Sequence, residues 1–396
     1  MTQKNKDVIK PHKKSISKTL IAVVVTAVIS VSITSLVFYF AVIKDPMFIK
    51  LQQLKSLAET NYYGELDEDA LDKSIFSGFV NGLGDRFAGY YDADQTNARS
   101  DSMNGKAQGL GMIVVKDVDS QGIYIKHVYD HSPAKENGLM PGDIITAVDS
   151  VDNNDVGYEK ALNSIVRDID KKVILTVNRD TKTFDVELTF SQFESQTVFC
   201  EMLDTDIGYV IITSFNSGTV AQFQNGVNTL ITQGAKSLIF DLRQNGGGTV
   251  DSVCEMVDFL CGEGDIMTVE YADGSRKVIA HSDKEEINLP MVCLTDGNTA
   301  SAAELFTASI IDFDKGISVG SRTFGKGVMQ STFPLFDKSS VVFTVAEFFP
   351  HSGKSFNEKG INPQIKVELT EEQSKYIHTL SPQDDPVISA AKEHLK

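Results

Sequence analysis

The stretch from Leu289 to Gln330, LPMVCLTDGNTASAAELFTASIIDFDKGISVGSRTFGKGVMQ, contains the features around which the rest of the chain is organised. Its short apolar run, Met291 to Leu294, is typical of a buried strand. A turn cluster at 296–298 follows, and Ser301 then stands at the start of a helical pattern of apolar residues. Lys326 comes 25 residues after Ser301, between two glycines. A serine at a strand-to-helix corner and a lysine on a glycine-flanked loop are the residue types that a Ser–Lys hydrolase uses.

The chemistry of such a pair places strict demands on Lys326. Lysine acts as a base only when neutral, and at its ordinary pKa of about 10.4 only about one molecule in a few thousand is neutral at pH 7. Burial therefore has to lower this pKa by about 3 units, which costs about 4 kcal/mol in charge desolvation. Gly325 and Gly327 would let the backbone enter a narrow cleft. Ser301 at a helix N-terminus would have unpaired N–H groups beside it, which suit an oxyanion.

Each of these motifs also has a purely structural interpretation. The tetrapeptide SAAE at 301–304 is a capping box, so Ser301 could simply cap its helix. Lys326 could be a solvated surface charge. The segment GSRTFGKG at 320–327 nearly spells a phosphate-binding loop, but a glycine stands where the magnesium-binding hydroxyl belongs. The apolar run that ends at Asp241 precedes this loop instead of following it, so nucleotide binding is disfavoured.

Charge and cysteine content narrow the function further. The net charge over 396 residues is −17, and the first nineteen residues contribute six lysines against one aspartate. The remainder is therefore even more acidic, which argues against nucleic acid as a partner of the globular part. The cysteines lack a C-x-x-C spacing, so neither a zinc site nor a disulfide framework is indicated. A single disulfide between Cys254 and Cys261 is left as an alternative. No metal or cofactor is predicted. The cysteines are Cys200, Cys254, Cys261 and Cys293.

The N-terminus predicts the compartment. Residues 1–19 are interpreted as a cytoplasmic tail and Leu20 to Ile43, a run without a charge, as a transmembrane signal anchor. As a helix this run is about 36 Å long, enough to cross a hydrocarbon core of about 30 Å. Because lysines precede the run, the positive-inside rule places everything after Ile43 on the extracytoplasmic side of the cell membrane. A cleaved signal peptide is the alternative, although the run is long for one and no A-x-A site closes it.

The next two regions differ in their periodicity. Residues 46–100 show helical, amphipathic patterns interrupted by turns near 84–92, and are predicted to form an N-terminal arm. Spacing alone leaves open whether this arm is a spacer or mediates a homodimer. From 103 to 190 short strands and turns take over, with GLGMIVV at 109–115 and LMPGDII at 139–145.

The region 103–190 resembles a PDZ domain over nearly its whole length, on the strength of these two segments. The resemblance implies that the backbone amides of Leu110, Gly111 and Met112 capture the C-terminal carboxylate of another chain. The bound peptide would add as a strand beside Met112 to Val115.

Residues 191–370 alternate apolar strands with amphipathic helices, which predicts a parallel α/β sheet covered on both faces. The segment DLRQNGGG at 241–248 follows the second of these strands. It is either a flexible turn or a set of backbone amides at the carboxyl end of the strands, where such folds place their sites. The second interpretation gains weight because Ser301 follows the next core strand. Residues 371–396 are predicted to be a C-terminal helical segment.

Together these motifs resemble the carboxyl-terminal processing proteases, which are tail-specific serine peptidases with a PDZ domain. The resemblance covers nearly everything after the membrane anchor. It implies a crotonase-like α/β core with an inserted PDZ domain, in a membrane-anchored serine endopeptidase that binds C-terminal tails and hydrolyses peptide bonds. The matching segments are LGDRFAGYYD (83–92), GLGM, DLRQNGGG, TASAAE, TFGKGVMQ and KGINPQI (359–365).

The same resemblance implies residue roles. Ser301 is the nucleophile, Lys326 is its general base, and Gln330, taken as one helical turn beyond the lysine, orients it. The amides of Gly247 and Ala302 form the oxyanion hole. The polar residues that support the site are Asp241, Arg243 and Glu304.

Two departures from the family pattern matter. Gly246 stands where the family often has proline, and Pro350-His351 stands where it usually has Thr-Pro. His351 is therefore a rival base for Ser301, although no local signature ties it to the serine. The rival function of a different class is a catalytically inactive PDZ scaffold, in which Ser301 only caps its helix.

Overall fold

The computed structural model describes residues 18–39, 45–377 and 379–395. Most of the predicted cytoplasmic tail, at 1–17, lies outside the described residues, as does the end of the predicted anchor at 40–43. The chain divides into two compact units, one up to Phe76 and one from Ser77 onward.

The first unit is helical. Its N-terminal helix contains an 18-residue window, Leu20–Val37, with a mean hydropathy of 2.6 and no buried residues. The second helix begins after Asp45, whose carboxylate accepts a hydrogen bond from the Met47 N–H at 2.7 Å and so caps the helix. The helices are α1 Lys18–Phe38, α2 Pro46–Asn61 and α3 Glu68–Asn81, the last of which continues into the second unit.

The second unit contains a strand where the sequence predicted only turns. Strand β1, Gly89–Tyr91, pairs antiparallel with residues 340–342. Helix α4, Ala93–Met103, follows and is capped by Asp92, whose carboxylate accepts from the Gln95 N–H at 2.9 Å. The turn interpretation was wrong for residues 89–91, because a three-residue strand has too short a pattern to stand out, whereas a turn does occur at 86–87.

The region predicted to be a PDZ domain consists mainly of antiparallel strands with three short helices. Its main sheet has the order β3-β4-β5-β7-β8, so β3 is an edge strand, and β2 pairs with β9 in a separate ribbon. The inward side chains, among them Ile125 and Leu175, form a hydrophobic core of their own. The elements are β2 Lys106–Gly109, β3 Met112–Lys116, β4 Ile123–Val128, α5 Pro133–Glu136, β5 Ile144–Val148, β6 Val151–Asp152, α6 Asn153–Val156, α7 Tyr158–Ile165, β7 Lys172–Arg179, β8 Lys182–Thr189 and β9 Ser191–Glu194.

The rest of the chain builds two sheets. The elements are β10 Val198–Leu203, β11 Ile207–Ile212, α8 Thr219–Thr232, β12 Ser237–Asp241, α9 Val250–Leu260, β13 Gly264–Tyr271, β14 Arg276–Ser282, β15 Met291–Thr295, α10 Ala302–Asp312, β16 Gly316–Gly320, β17 Val328–Pro334, β18 Ser340–Pro350, β19 Ile365–Lys366, α11 Glu371–Tyr376 and α12 Pro386–His394.

The first of these sheets confirms the predicted parallel architecture. Its order is β10-β11-β12-β15-β16-β19, with parallel pairing from β11 to β19 and an antiparallel edge strand, β10. Helices α8 to α10 pack on one face, and α12 packs on the other with residues such as Ile388. The five residues of β12 and the five of β15 are all buried, which is why their sequences are continuous apolar runs.

The second sheet was not predicted. It is antiparallel, with the order β1-β18-β13-β14, and β17 pairs with β18. Gln330 therefore lies in a strand, and its placement one helical turn beyond Lys326 was wrong. The segment VMQSTFP pairs residue by residue with β18, apart from one irregularity after Met329.

An aromatic cluster fixes the helix that carries Ser301 against the parallel sheet. The ring of Phe306 on α10 meets that of Phe240 on β12 edge to face, with centroids 5.2 Å apart, and both side chains are fully buried. Burial of each such side chain contributes about 2 kcal/mol. This contact sets the start of α10 beside the segment that follows β12, so two of the predicted site segments become neighbours.

Candidate active site

Ser301 occupies a strained corner between β15 and α10. Its backbone angles are φ 58° and ψ −118°, a combination that is rare for a residue with a side chain. Such strain is typical of nucleophiles held on a sharp strand-to-helix turn. The turn before it is closed by Asp296, whose carboxylate accepts from the N–H groups of Asn298 at 2.9 Å and Thr299 at 3.0 Å. We call residues 296–301 the serine corner.

Glu304 joins the serine corner to the segment that carries the lysine. Its carboxylate is fully buried. One oxygen, Oε2, accepts the backbone N–H of Ser301 at 2.9 Å and that of Lys326 at 2.8 Å. The other, Oε1, accepts the Thr323 hydroxyl at 2.6 Å and the Gly325 N–H at 2.7 Å. Charge-assisted bonds to every available oxygen are what a buried carboxylate requires, so this residue fixes both segments.

We call residues 323–327 the lysine loop. At Gly325 this loop runs so close to another segment that no side chain would fit. Gly325 has φ +91°, and a Cβ there would lie 2.8 Å from the Gly360 nitrogen and 3.0 Å from the Lys359 nitrogen. The Glu358 N–H donates to the Gly325 carbonyl at 2.8 Å. The structure thus packs the motif KGINPQI directly against the lysine loop.

The Lys326 side chain is half-buried and points at an aromatic ring. Its Nζ lies 4.7 Å from the centroid of Phe87. Burial lowers the pKa of Lys326, and the charges of Arg99 and Arg86 lower it further, against the opposing effect of Asp85 and of the Glu304 carboxylate. Within the described residues no hydrogen bond joins Lys326 Nζ to the Ser301 hydroxyl. The lysine thus shares a site with the serine while its amine rests on Phe87.

Gln330 contacts the strand beside it. Its Nε2 donates to the Val328 carbonyl at 3.2 Å and to the Thr344 hydroxyl at 3.3 Å. Thr344 is in turn held by Asp85, whose carboxylate accepts the Thr344 N–H at 2.8 Å. No bond between Gln330 and Lys326 occurs among the described residues, so its orienting role stays a prediction.

The two predicted oxyanion donors lie side by side. Gly247 has φ +101°, and a Cβ there would lie 2.9 Å from the Ser301 Cβ and 3.0 Å from the Ala302 nitrogen. The Ala302 N–H, at the first turn of α10, has no acceptor among the described residues. The Gly247 N–H donates to Asn245 Oδ1 at 2.8 Å. One donor is therefore free and the other is held by an internal partner.

Asn245 is a site residue that the sequence interpretation missed. The residue is fully buried, and its side-chain Nδ2 donates to the Ile212 carbonyl at 2.8 Å. The backbone carbonyl of Asn245 accepts the Ala300 N–H at 2.9 Å. It therefore links residues 241–248, which we call the glycine loop, to both β11 and the serine corner. The only signal in the sequence is its position before three glycines, and its partners become visible only in the fold.

The supporting pair Asp241 and Arg243 holds the base of the glycine loop. The guanidinium meets Asp241 Oδ2 at 2.6 Å and Asp385 Oδ2 at 2.7 Å, with all three groups buried or nearly so. Burial alone would raise the pKa of the Asp241 carboxyl, but the charge and hydrogen bonds of Arg243 hold it below its ordinary value. Asp385 also caps α12 by accepting the Val387 N–H at 2.8 Å. This network fixes α12 to the glycine loop, and among the described residues it forms no hydrogen bond with Ser301.

The rival base His351 lies at the wrong end of α10. Its ring lies against that of Phe313 in a tilted arrangement, with centroids 4.3 Å apart, and its Nδ1 forms a hydrogen bond with the Asp265 carbonyl at 2.9 Å. Phe313 follows the last turn of α10, whereas Ser301 precedes the first. A helix of 11 residues is about 16 Å long, so His351 is too far away to take the serine proton.

The predicted carboxylate-binding loop at the start of β3 has its carbonyls turned inward. The Leu110 carbonyl accepts the Ala134 N–H at 2.9 Å, and the Gly111 carbonyl accepts the Tyr129 N–H at 2.9 Å. The N–H groups of Leu110 and Gly111 have no acceptor in the part of the chain that the structure describes. Gly111 has φ +78°, and a Cβ there would lie 2.1 Å from the Ser132 Cβ, so glycine is required.

A strained serine at a strand-to-helix corner, a lysine fixed to the same buried carboxylate and a β-domain with an open edge strand define a class. The class is that of serine hydrolases that act on polypeptides and carry a peptide-binding domain.

Comparison with known proteins identifies the family. The sequence pattern of "Peptidase family S41" matches residues 206–367, and that of the "PDZ domain" matches residues 100–178. The carboxy-terminal processing protease CtpA of Bacillus subtilis (strain 168) is 31% identical over 327 residues, which cover 82% of this chain and 70% of the relative. The chain belongs to peptidase family S41, among the C-terminal processing serine proteases with a PDZ domain. The resemblance inferred from the sequence motifs is thereby confirmed.

Two further relatives agree. The CtpA-like serine protease of Staphylococcus aureus (strain N315) is 28% identical over 366 residues, which cover 91% of this chain and 72% of the relative. A solved structure from Bacteroides fragilis NCTC 9343, described as an S41 protease, superposes with a TM-score of 0.58 at 16% identity, covering 85% of this chain and 91% of the other. This last similarity establishes a common fold.

Proposed function

We propose that this chain is a serine endopeptidase in which Ser301 attacks the peptide carbonyl and neutral Lys326 accepts the serine proton. The observation that carries the proposal is the shared hydrogen bonding of Ser301 and Lys326 to one oxygen of Glu304. This carboxylate is fully buried and fixes the backbone at both residues. Because its bond to Lys326 is made through the backbone N–H, the lysine side chain stays free to rotate. The lysine stem has four rotatable bonds, so rotation alone can carry the amine from Phe87 towards the serine hydroxyl.

The negative charge that develops on the carbonyl oxygen needs donors beside Ser301. The free N–H of Ala302 is one, and the Gly247 N–H becomes the second once it exchanges Asn245 Oδ1 for the oxyanion. A single donor of this kind is worth about 100- to 1,000-fold in kcat. In the same proposal Gln330, held by Thr344, orients the lysine after it leaves Phe87.

The PDZ domain supplies binding energy away from the reacting bond. We assign capture of a substrate's C-terminal carboxylate to the amides of Leu110, Gly111 and Met112. The inward-turned carbonyls of this loop and the edge position of β3 support the assignment. A tail held there would convert remote binding into positioning of the scissile bond.

The proposal also covers the membrane location of the protein and the fold type of its catalytic core. Helix α1 is long and apolar enough to serve as a single-pass signal anchor, and the lysines that precede it favour a catalytic part on the extracytoplasmic side. The order of parallel strands and covering helices is compatible with a crotonase-like core, which stays a prediction. Retention of the full-length chain in carbonate-washed membranes tests the anchor, and release into the soluble fraction supports a cleaved signal peptide instead.

The test of activity uses the full-length chain in detergent micelles and an unstructured polypeptide with a free C-terminus. Terminal-peptide mass spectrometry detects cleavage by the parent, Ser301→Ala and Lys326→Ala. Matched controls are Ser309→Ala, on the same helix, and Lys354→Ala, which is exposed. We expect cleavage by the parent and both controls, and none by the two site variants.

Binding separates the enzyme from the inactive scaffold. Ser301→Ala should bind the free-tailed polypeptide as the parent does, and both should bind a C-terminally amidated polypeptide more weakly. A parent that binds the tail but cleaves nothing would overturn the peptidase proposal in favour of the scaffold.

A further inference from the structure

A short segment ahead of the PDZ domain places two arginines at the candidate active site. The segment, residues 85–99, lies outside the stretch that matches peptidase family S41. It is fixed to β18 at three points: the Asp85 carboxylate accepts the Thr344 N–H at 2.8 Å, Tyr91 pairs with Ser340, and the hydroxyls of Thr96 and Ser340 are 2.8 Å apart. These contacts make the position of the segment well defined.

One aromatic ring in this segment contacts two cationic side chains. The guanidinium carbon of Arg86 lies 4.5 Å from the Phe87 centroid, and Lys326 Nζ lies 4.7 Å from the same centroid. Arg86 also lies 5.1 Å from the ring centroid of Phe324, which belongs to the lysine loop. The arginine and the lysine are thus held together by shared aromatic contacts.

Arg99 contributes a second guanidinium from helix α4. Its central carbon lies 5.2 Å from the ring centroid of Tyr91, and its Nε is buried with no hydrogen-bond partner among the described residues. Neither Arg99 nor Arg86 forms an ion pair with a carboxylate in the part of the chain that the structure describes. In a chain with a net charge of −17, the charges of both arginines oppose protonation of Lys326.

The nearby carboxylates are occupied by other donors. Asp85 accepts the Phe87 N–H at 2.9 Å in addition to its bonds with Thr344. Glu304 accepts its four donors from the serine corner and the lysine loop. The negative charges of Asp85 and Glu304 favour a protonated Lys326, but neither carboxylate forms an ion pair with the lysine amine among the described residues. Neither carboxylate forms an ion pair with Arg86 or Arg99 there either, so the two arginine charges are not neutralised by a direct partner.

We propose that Arg86 and Arg99 are positioning residues that hold the amine of Lys326 in the uncharged form that a general base requires. The inference rests on the proposed Ser301–Lys326 mechanism. It gives a role to Arg86, which lies in the matching segment LGDRFAGYYD but received no role from the resemblance, and to Arg99, which lies outside that segment. Its physical basis is a difference between the two kinds of cation. Arginine does not lose its proton in proteins, so repulsion within the group is relieved when the lysine gives up its proton.

The test compares charge-removing with charge-conserving variants of the full-length chain in detergent micelles. The pH dependence of kcat/KM for an unstructured peptide is measured for the parent, Arg86→Gln, Arg99→Gln, Arg86→Lys and Arg99→Lys. We expect each Gln variant to raise the inflection by at least about half a pH unit. Below the inflection kcat/KM then falls about threefold or more and recovers at high pH. The Lys variants retain a cation that can itself lose its proton, so they should raise the inflection less than the Gln variants do. Thermal unfolding establishes that every variant is folded.

A second readout does not depend on turnover. In a Ser301→Ala background, the rate at which acetic anhydride acetylates Lys326 is followed against pH by peptide mass spectrometry. The midpoint should rise in both Gln variants and should rise less in the corresponding Lys variants. An unchanged midpoint overturns the inference even if the parent cleaves peptides. A raised midpoint in a chain that cleaves nothing supports the electrostatic role and counts against the proposed peptidase function. Gln variants that raise KM at every pH with an unshifted inflection would also overturn it, in favour of arginines that bind a substrate carboxylate.

Discussion

Ser301 and Lys326 are joined through a single oxygen atom, Oε2 of Glu304, which accepts the backbone N–H of the first at 2.9 Å and of the second at 2.8 Å. The two backbone nitrogens are therefore held within two hydrogen-bond lengths of each other, although no hydrogen bond joins the two side chains among the described residues. Such a link preorganises the main chain of a site while leaving the base mobile.

Replacement of Glu304 should disable the site and weaken the fold. Glu304→Gln keeps the shape but turns one acceptor into a donor that faces N–H groups, so four bonds cannot all survive. We expect kcat/KM to fall at least about 100-fold and the free energy of unfolding to fall by about 3 kcal/mol. Glu255→Gln, on the exposed side of α9, is the control for the same change without burial. Equal activity in the two variants would contradict the role given to Glu304.

The glycine loop offers a matched pair of neighbouring glycines. Gly247→Ala places a Cβ 2.8 Å from the Ala300 carbonyl oxygen and 2.9 Å from the Ser301 Cβ, at φ +101°. The serine corner has to shift, and kcat should fall about 100-fold or more. Gly246→Ala meets nothing within 4 Å and should keep nearly full activity. If both variants show the same kcat, the glycine loop is not part of the oxyanion site.

A buried histidine should make the chain sensitive to acid. His127 stacks on Phe199 with centroids 4.5 Å apart, its Nε2 is buried without a partner among the described residues, and burial followed by the charge of Lys126 lowers its pKa to about 4. The folded state therefore favours neutral imidazole. The lowered pKa of His127 has no effect on the free energy of unfolding above about pH 6.5. As the pH falls towards 4, it reduces the free energy of unfolding by up to about 3 kcal/mol.

The variant His127→Phe keeps the stacked ring and removes the titrating group. Its melting temperature should exceed that of the parent by several degrees near pH 4.5 and by much less at pH 7.5. Differential scanning calorimetry at both pH values measures this. A difference that does not change with pH would show that His127 titrates normally in the fold.

The buried network at α12 should be essential for stability. Asp385 both pairs with Arg243 at 2.7 Å and caps α12 through the Val387 N–H. Asp385→Asn leaves a buried guanidinium short of a charged partner, so we expect a loss of about 3 kcal/mol in the free energy of unfolding. Asp384→Asn, an exposed neighbour, should change stability by less than about 0.5 kcal/mol. Coincident denaturation curves for the two variants would refute this role of Asp385.

The sequence was informative wherever a pattern extends along the chain. Continuous apolar runs predicted β12 and β15, and the serine corner and the lysine loop were located from residue type and spacing alone. The pairs β13–β14 and β17–β18 of the second sheet are local in sequence and were missed. The joining of β1, β13 and β18 could not be predicted because these strands are distant in sequence: Gly89 pairs with Val342, and Thr268 with Phe349. Gln330 was assigned to a helical turn because it stands four residues after Lys326. Its pairing with β18, which places it in a strand, is visible only in the structure.

The site residues that escaped prediction share one property. Asn245, Arg86 and Phe87 lie in segments that match the family, but they act through contacts with segments far away in sequence that the local pattern does not specify. The conformation of Lys326 could not be predicted either, because spacing locates a lysine without saying which group its amine faces.

The pH dependence of kcat/KM for the full-length chain, from about pH 5 to 10, tests the Ser301–Lys326 pair against its rivals. For a lysine base with a lowered pKa, activity should rise tenfold per pH unit and level off below the ordinary lysine value of 10.5, and Lys326→Ala should be inactive at every pH. A flat profile, or an inflection that persists in Lys326→Ala and vanishes in His351→Ala, would contradict it.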